Sequence, residues 1–119
     1  MKYVMGDTLP VPRDVSAAVR LAKSALRDAG LRVPKIRLRW VASISRKDGG
    51  EEFDLSGLTW MQRGVVHVTL CPSQNVMEAV AHEMAHAVLE PILNSRAAAH
   101  NSLWAAVYRA LYVALVDGR

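Results

Sequence analysis

The sequence predicts an α+β fold built as one small domain. A helical pattern opens the chain, strand patterns separated by turn signals follow, and two apolar helical segments come last. The 119 residues fit a single domain over residues 1–119, and 51% of them are hydrophobic, enough for a core. We expect an N-terminal helix, a three- to four-stranded mostly antiparallel sheet, and two closing helices.

The first helix is expected from about residue 13 to residue 29. Pro12 suits a helix start and Gly30 suits a helix end. Cations lie on a different face of this helix from the apolar residues, so one side is predicted to be buried. The apolar residues recur at helical spacing, at Val15, Val19, Ala22, Leu26 and Ala29.

Three strand patterns follow this helix. Residues 36–41 alternate between apolar and charged side chains, residues 53–62 form one or two strands around Ser56-Gly57, and residues 65–70 are rich in β-branched side chains. Turn signals separate them at residues 48–50 and at Arg63-Gly64. Because the patterns are close together in the chain, they predict an antiparallel meander.

Two helices are predicted to close the chain. Asn75, three residues before Glu78, resembles a capping box at the start of the first one. Pro91 is expected to end that helix at about Glu90. A connection over residues 92–99 then leads to a final helix from about His100 to Val116.

Composition limits the classes of protein that remain. Cys71 is the only cysteine, which excludes an internal disulfide and a cysteine-based zinc ribbon and fits a reducing cytoplasm. The chain has no continuous apolar signal core and no apolar run long enough for a membrane span. The net charge is +4. Cations in the first helix and the strand over residues 36–41 therefore predict at most weak, salt-sensitive and non-specific DNA binding.

The segment His82-Glu83-Met84-Ala85-His86 predicts a zinc site. Residues four apart lie on the same face of a helix, so His82 and His86 can present two imidazoles to one Zn²⁺ per chain. Glu83 lies about 100° further round the helix, where it can act as a general base without ligating the metal. An apolar stripe on the opposite side, Met77, Ala81, Met84 and Val88, is expected to pack in the core.

A third protein ligand is expected, because catalytic zinc usually has three. The metzincin pattern would need glycine and histidine where Leu89 and Ile92 stand. No glutamate follows residue 90, which leaves His100 or Asp117. We prefer His100, because it opens the final helix on the apolar face that also carries Trp104.

Other residues have weaker signals. His67 lies in the third strand pattern and could contact substrate or a metal ligand, although a polar strand face is the more common explanation. Tyr108 and Tyr112 could donate to an oxyanion, with aromatic packing as the alternative. Cys71, next to Pro72, is interpreted as a core residue.

The sequence resembles the SprT-like (Spartan-type) zincins over roughly residues 64–111. The matching features are the strand over residues 65–70, the HEMAH helix, and His100 in His-Asn-Ser-Leu-Trp, with thirteen residues between His86 and His100. Asn101 stands where family members usually have glycine, and the resemblance covers the protease domain without its zinc ribbon. It implies a small zincin-type fold, His100 as third ligand, and Trp104 as the aromatic residue that follows it.

The residues and the resemblance together predict a zinc-dependent metallopeptidase that hydrolyses peptide bonds in protein substrates. The strand over residues 65–70 is expected to accept an extended substrate by strand addition. One alternative is a non-catalytic, zinc-stabilised or weakly nucleic-acid-binding module, for which Glu83 would be unnecessary. Another is an ImmA/IrrE-type regulatory protease, which typically uses a glutamate as third ligand.

Overall fold

The structure, a computed structural model, describes residues 2–93 and 102–117. The predicted α+β class is confirmed in this part of the chain. The helices are α1 (Arg13–Asp28), α2 (Val76–Leu93) and α3 (Ser102–Leu115). The strands are β1 (Lys2–Met5), β2 (Thr8–Leu9), β3 (Ile36–Val41), β4 (Ile44–Asp48), β5 (Glu51–Leu55), β6 (Gly57–Gln62) and β7 (Val65–Leu70).

The strands form two sheets rather than one. The larger sheet has the order β2-β3-β7-β6, and the smaller one has the order β1-β4-β5. β3 and β7 are parallel, so the predicted antiparallel meander is wrong. The expected four-stranded and mostly antiparallel sheet is nevertheless present, because β2–β3 and β6–β7 are antiparallel. The chain leaves the larger sheet after β3, forms the β4–β5 hairpin and returns through β6, which brings β7 back beside β3 in the same direction. Strands β1, β2 and β4 were not predicted.

The described helices pack on one face of the larger sheet, with α2 directly against β6 and β7 and with α1 and α3 against α2 and each other. Alternate residues of β7, namely Val66, Val68 and Leu70, are buried there with Val80 and Met84 of α2. α1 adds the predicted apolar residues up to Leu26, whereas Ala29 is exposed where the helix ends. Burial of this apolar surface is the main force that holds the helices on the sheet.

Helix α2 starts as predicted but extends further. Oδ1 of Asn75 accepts a hydrogen bond from the backbone N–H of Glu78 at 3.4 Å, as a capping residue does. The prediction that Pro91 ends the helix is wrong, because the helix continues to Leu93. Pro91 lies only two residues before the end of α2, so the backbone N–H donor that it lacks is lost in the last turn of the helix. The predicted start of the last helix at His100 lies outside the described residues.

The smaller sheet joins the larger one through a second, minor core. Val41, Ile44 and Cys71 are buried together, with Leu55 packed against them. Burial of Cys71 agrees with its interpretation as a core residue. In the part of the chain that the structure describes, no helix is both long enough and apolar enough to cross a membrane.

Candidate metal and catalytic site

Helix α2 places the two motif histidines side by side. His82 and His86 are both half-buried, and their ring centres are 5.0 Å apart. Two imidazoles that share a tetrahedral zinc through bonds of about 2.1 Å have ring centres about 5 Å apart. The spacing of these rings therefore fits a shared zinc ion.

Glu83 lies beside them with a buried and oriented carboxylate. Its side chain is in the interior, and the residue is 6% exposed. Oε1 accepts a hydrogen bond of 2.7 Å from the hydroxyl of Thr59 in β6, while Oε2 lies 3.9 Å from Nε2 of His82. The Thr59 hydroxyl also lies 3.2 Å from the backbone carbonyl of Glu83. Thr59 thus holds one carboxylate oxygen and leaves the other facing the histidine.

Gly57 makes this close approach of β6 to α2 possible. A Cβ at position 57 would lie 2.7 Å from Cγ of Glu83 and 2.9 Å from Cδ2 of Leu70. Both distances are shorter than ordinary contacts between carbon atoms. The glycine is therefore needed for space at this position, and not for an unusual backbone angle.

The surroundings of Glu83 favour its protonated form. Burial raises the pKa of this carboxyl to about 7, the hydrogen bond from Thr59 opposes the increase, and the charge of Glu78 adds to it. A carboxyl group with a pKa near neutrality can both accept and return a proton at physiological pH. A cation held by His82 and His86 would lower this pKa, because it stabilises the carboxylate.

Aromatic side chains of α3 form a wall against the histidines. The ring centre of Trp104 lies 4.9 Å from that of His82 and 5.2 Å from that of His86. Tyr108 stacks on Trp104 at 4.8 Å, with an angle of 7° between the rings. Its hydroxyl donates a hydrogen bond of 2.9 Å to Oε1 of Glu78. This wall restricts the orientation of both imidazoles.

Burial, together with Glu78, raises the pKa of Tyr108 to about 12. Tyr108 is therefore protonated at neutral pH and can act as a hydrogen-bond donor. Its ring centre lies 6.0 Å from that of His82, so the predicted donor is close to the site.

A cleft of about 370 Å³ opens beside this group. Its walls come from the β5–β6 corner and from the first half of α2, and they include Gly57, Glu78, His82 and Glu83. A substrate in this cleft would lie next to the carboxylate of Glu83 and the ring of His82.

Two other predicted residues do not join this group. His67 lies on the opposite face of the sheet, because it alternates in β7 with the core residues Val66 and Val68, and it stacks on Trp60. Asp117 follows the end of α3, roughly 20 Å along the helix axis from Trp104. The placement of Asp117 leaves His100 as the preferred third ligand.

His100 itself lies outside the described residues. Within residues 2–93 and 102–117, no group of three histidine, cysteine, aspartate or glutamate residues could hold a metal ion. If His82 and His86 share a zinc ion, a third protein ligand would have to come from outside the described residues.

Sequence reasoning missed Thr59 and Gly57. Both are contributed by β6, and nothing near them in the sequence indicates that they contact Glu83.

Comparisons of the chain with protein-family models, with curated proteins and with solved structures gave no match.

Proposed function

We propose that this protein is an SprT-like, zinc-dependent metallopeptidase that hydrolyses peptide bonds in protein substrates. One zinc ion per chain is held by His82, His86 and His100. The observation that supports the proposal most is the buried Glu83 carboxylate, oriented by Thr59 beside two imidazoles at a spacing that fits zinc. A zinc site with a purely structural role does not require a buried carboxylate beside its ligands, and burial of a carboxylate costs free energy.

The chemistry divides between the metal and Glu83. Zinc, when bound, would polarise the scissile carbonyl and make a water molecule more acidic. Glu83 accepts the proton of the attacking water and later returns it to the leaving amine. Thr59 keeps the carboxylate in position for both transfers. The Tyr108 hydroxyl donates its hydrogen bond to Glu78. To stabilise an oxyanion, it would have to break this bond and donate to the substrate oxygen instead.

An extended substrate is best placed along β6. The prediction that residues 65–70 accept it is wrong, because β7 is paired with β3 on one side and β6 on the other. β6 is the last strand of the sheet order, and its residues Gly57 and Thr59 contact Glu83. A peptide that adds to this edge would run past the carboxylate, with its backbone held by strand hydrogen bonds.

The test combines zinc content with cleavage of an unfolded protein such as casein. We expect one zinc per chain after loading, and a loss of cleavage of about a hundredfold or more in Glu83→Gln with fold and zinc content unchanged. Glu52→Gln, the same chemical change at an exposed residue of β5, is the matched control and should cleave like the parent. Zinc binding without cleavage by the parent would favour the non-catalytic module, and full activity in Glu83→Gln would exclude this mechanism.

A further inference from the structure

The larger sheet has a second face that none of the described helices covers. The core side chains of β3 and β7 point toward the helices, so the alternate residues Arg37, Arg39 and His67 lie on the other side, together with Trp60 of β6. We call this surface the open face. Arg37 and Arg39 are exposed, and His67 and Trp60 are half-buried.

A cation and two rings form one row across the open face. Arg37 is paired with His67 between β3 and β7, and His67 is paired with Trp60 between β7 and β6. The rings of Trp60 and His67 stack with centres 5.1 Å apart and an angle of 7°. Because β6 is an edge strand, no described strand lies beyond Trp60 to continue the stack.

The charges around this row have one sign. The four strands of the larger sheet contain no aspartate or glutamate. Arg63, in the turn between β6 and β7, adds a third cation, and a recess of about 260 Å³ lies between it, Arg37 and His67. In the part of the chain that the structure describes, none of the arginines 37, 39 and 63 takes part in an ion pair. The open face is therefore suited to a polyanion.

We propose that the open face binds single-stranded nucleic acid. A base extends the stack of His67 and Trp60, and the neighbouring phosphates contact Arg37, Arg39 and Arg63. Stacking on an aromatic ring requires a base whose faces are accessible, which a single strand offers and a duplex does not. An acidic protein segment would use the arginines but would gain nothing from the stacked rings. The proposed zinc centre lies on the other, helical side of the sheet. The two sites share the free edge of β6, so a substrate strand paired with β6 and a base stacked on Trp60 would exclude each other.

The test measures binding of a labelled single-stranded oligothymidylate to the zinc-loaded full chain by fluorescence anisotropy. We expect a dissociation constant on the order of 10⁻⁶ to 10⁻⁵ M at low salt, with weakening as salt increases. A duplex of the same length should bind about tenfold more weakly. Tryptophan fluorescence should be quenched on binding, and the signal should come mainly from Trp60, because Trp40 and Trp104 are each 8% exposed.

Two sets of variants separate stacking from general charge. Trp60→Leu should weaken binding by roughly five- to 150-fold, the loss of one stacked base. The double variant Arg37→Gln with Arg39→Gln should bind more weakly. Its plot of log binding constant against log salt concentration should be shallower by roughly 1.4, the contribution of two phosphate contacts. Arg20→Gln with Arg27→Gln, two exposed positions on α1, removes the same charge and should have little effect.

Several results would overturn the proposal. These are absence of binding at low salt, duplex binding as tight as single-strand binding, and an equal loss in the α1 control pair. Displacement of the oligonucleotide by poly-glutamate at equal charge concentration would instead assign the face to acidic proteins. Circular dichroism checks the fold of each variant. If Trp60→Leu is unfolded, the arginine pair and the Trp60 quenching still decide the question.

Discussion

Substitution of Gly57 by alanine tests whether the contact between β6 and α2 positions the general base. The added Cβ would lie 2.7 Å from Cγ of Glu83, whereas ordinary contacts begin at 3.4 Å, so one partner must move by about 0.7 Å. The added Cβ would also lie 2.9 Å from Cδ2 of Leu70, so β6 cannot relieve the first contact by moving toward Leu70. We therefore expect Glu83 to be displaced and its hydrogen bond with Thr59 to be stretched or lost.

The expected magnitudes follow from this displacement. Overpacking of this kind typically costs about 1–3 kcal/mol of unfolding free energy. A misplacement of about 1 Å in a catalytic group can cost about a hundredfold in rate. Gly57→Ala should therefore lose about ten- to a hundredfold in kcat for peptide cleavage. Zinc content should be unchanged, because the histidines are not touched.

Gly6→Ala is the matched control for this experiment. Its Cβ would lie 2.8 Å from the Ser43 hydroxyl, a close contact of similar size in the link between β1 and β2, where the nearest atoms belong to Ser43 and Ala42 and not to the group around Glu83. Both variants should lose stability in urea titrations, but only Gly57→Ala should lose activity at a temperature where both are folded. Parental activity in Gly57→Ala, or an equal loss of activity in both variants, would refute the positioning argument.

Three further predictions concern the same site. His100→Ala should weaken zinc affinity by about a hundredfold or more, measured by competition with a chelator, and an unchanged affinity would remove His100 from the ligand set. Thr59→Val, which replaces the hydroxyl by a methyl group, should lower kcat about tenfold without loss of zinc, since one hydrogen bond to a charged group is worth about 1.5–3 kcal/mol; parental kcat would show that Glu83 needs no such partner. In metal-free protein the pKa of Glu83 is raised from 4.5 to about 7 on folding. The native state therefore binds more protons than the unfolded state in this range, and unfolding free energy should fall as pH rises from about 4.5 to about 7 and then level off. The loss is at most roughly 3 kcal/mol at 1.36 kcal/mol per pKa unit. Urea titrations of parent and Glu83→Gln at several pH values isolate this contribution, and identical pH dependence in the two proteins would contradict it.

Local patterns in the sequence were sufficient for the features that depend on neighbouring residues. Helical spacing predicted the buried face of α1 and the placement of His82 and His86 on one side of α2. Cap and turn residues predicted the start of α2 at Asn75 and the turn at Arg63-Gly64. These features can be predicted from the sequence because a helix or a turn is formed by hydrogen bonds between residues only a few positions apart.

Tertiary structure decided the features that depend on strand pairing. Residues 65–70 were predicted as a strand, but only the sheet shows that β7 is central, that β6 is the edge, and that β3 is parallel to β7. The same pairing brings Thr59 and Gly57 onto Glu83 and turns His67 away from it toward Trp60. The two edges of a strand offer the same backbone donors and acceptors. Local sequence therefore does not show which edge is paired or with which strand, and contacts between distant parts of the chain decide it.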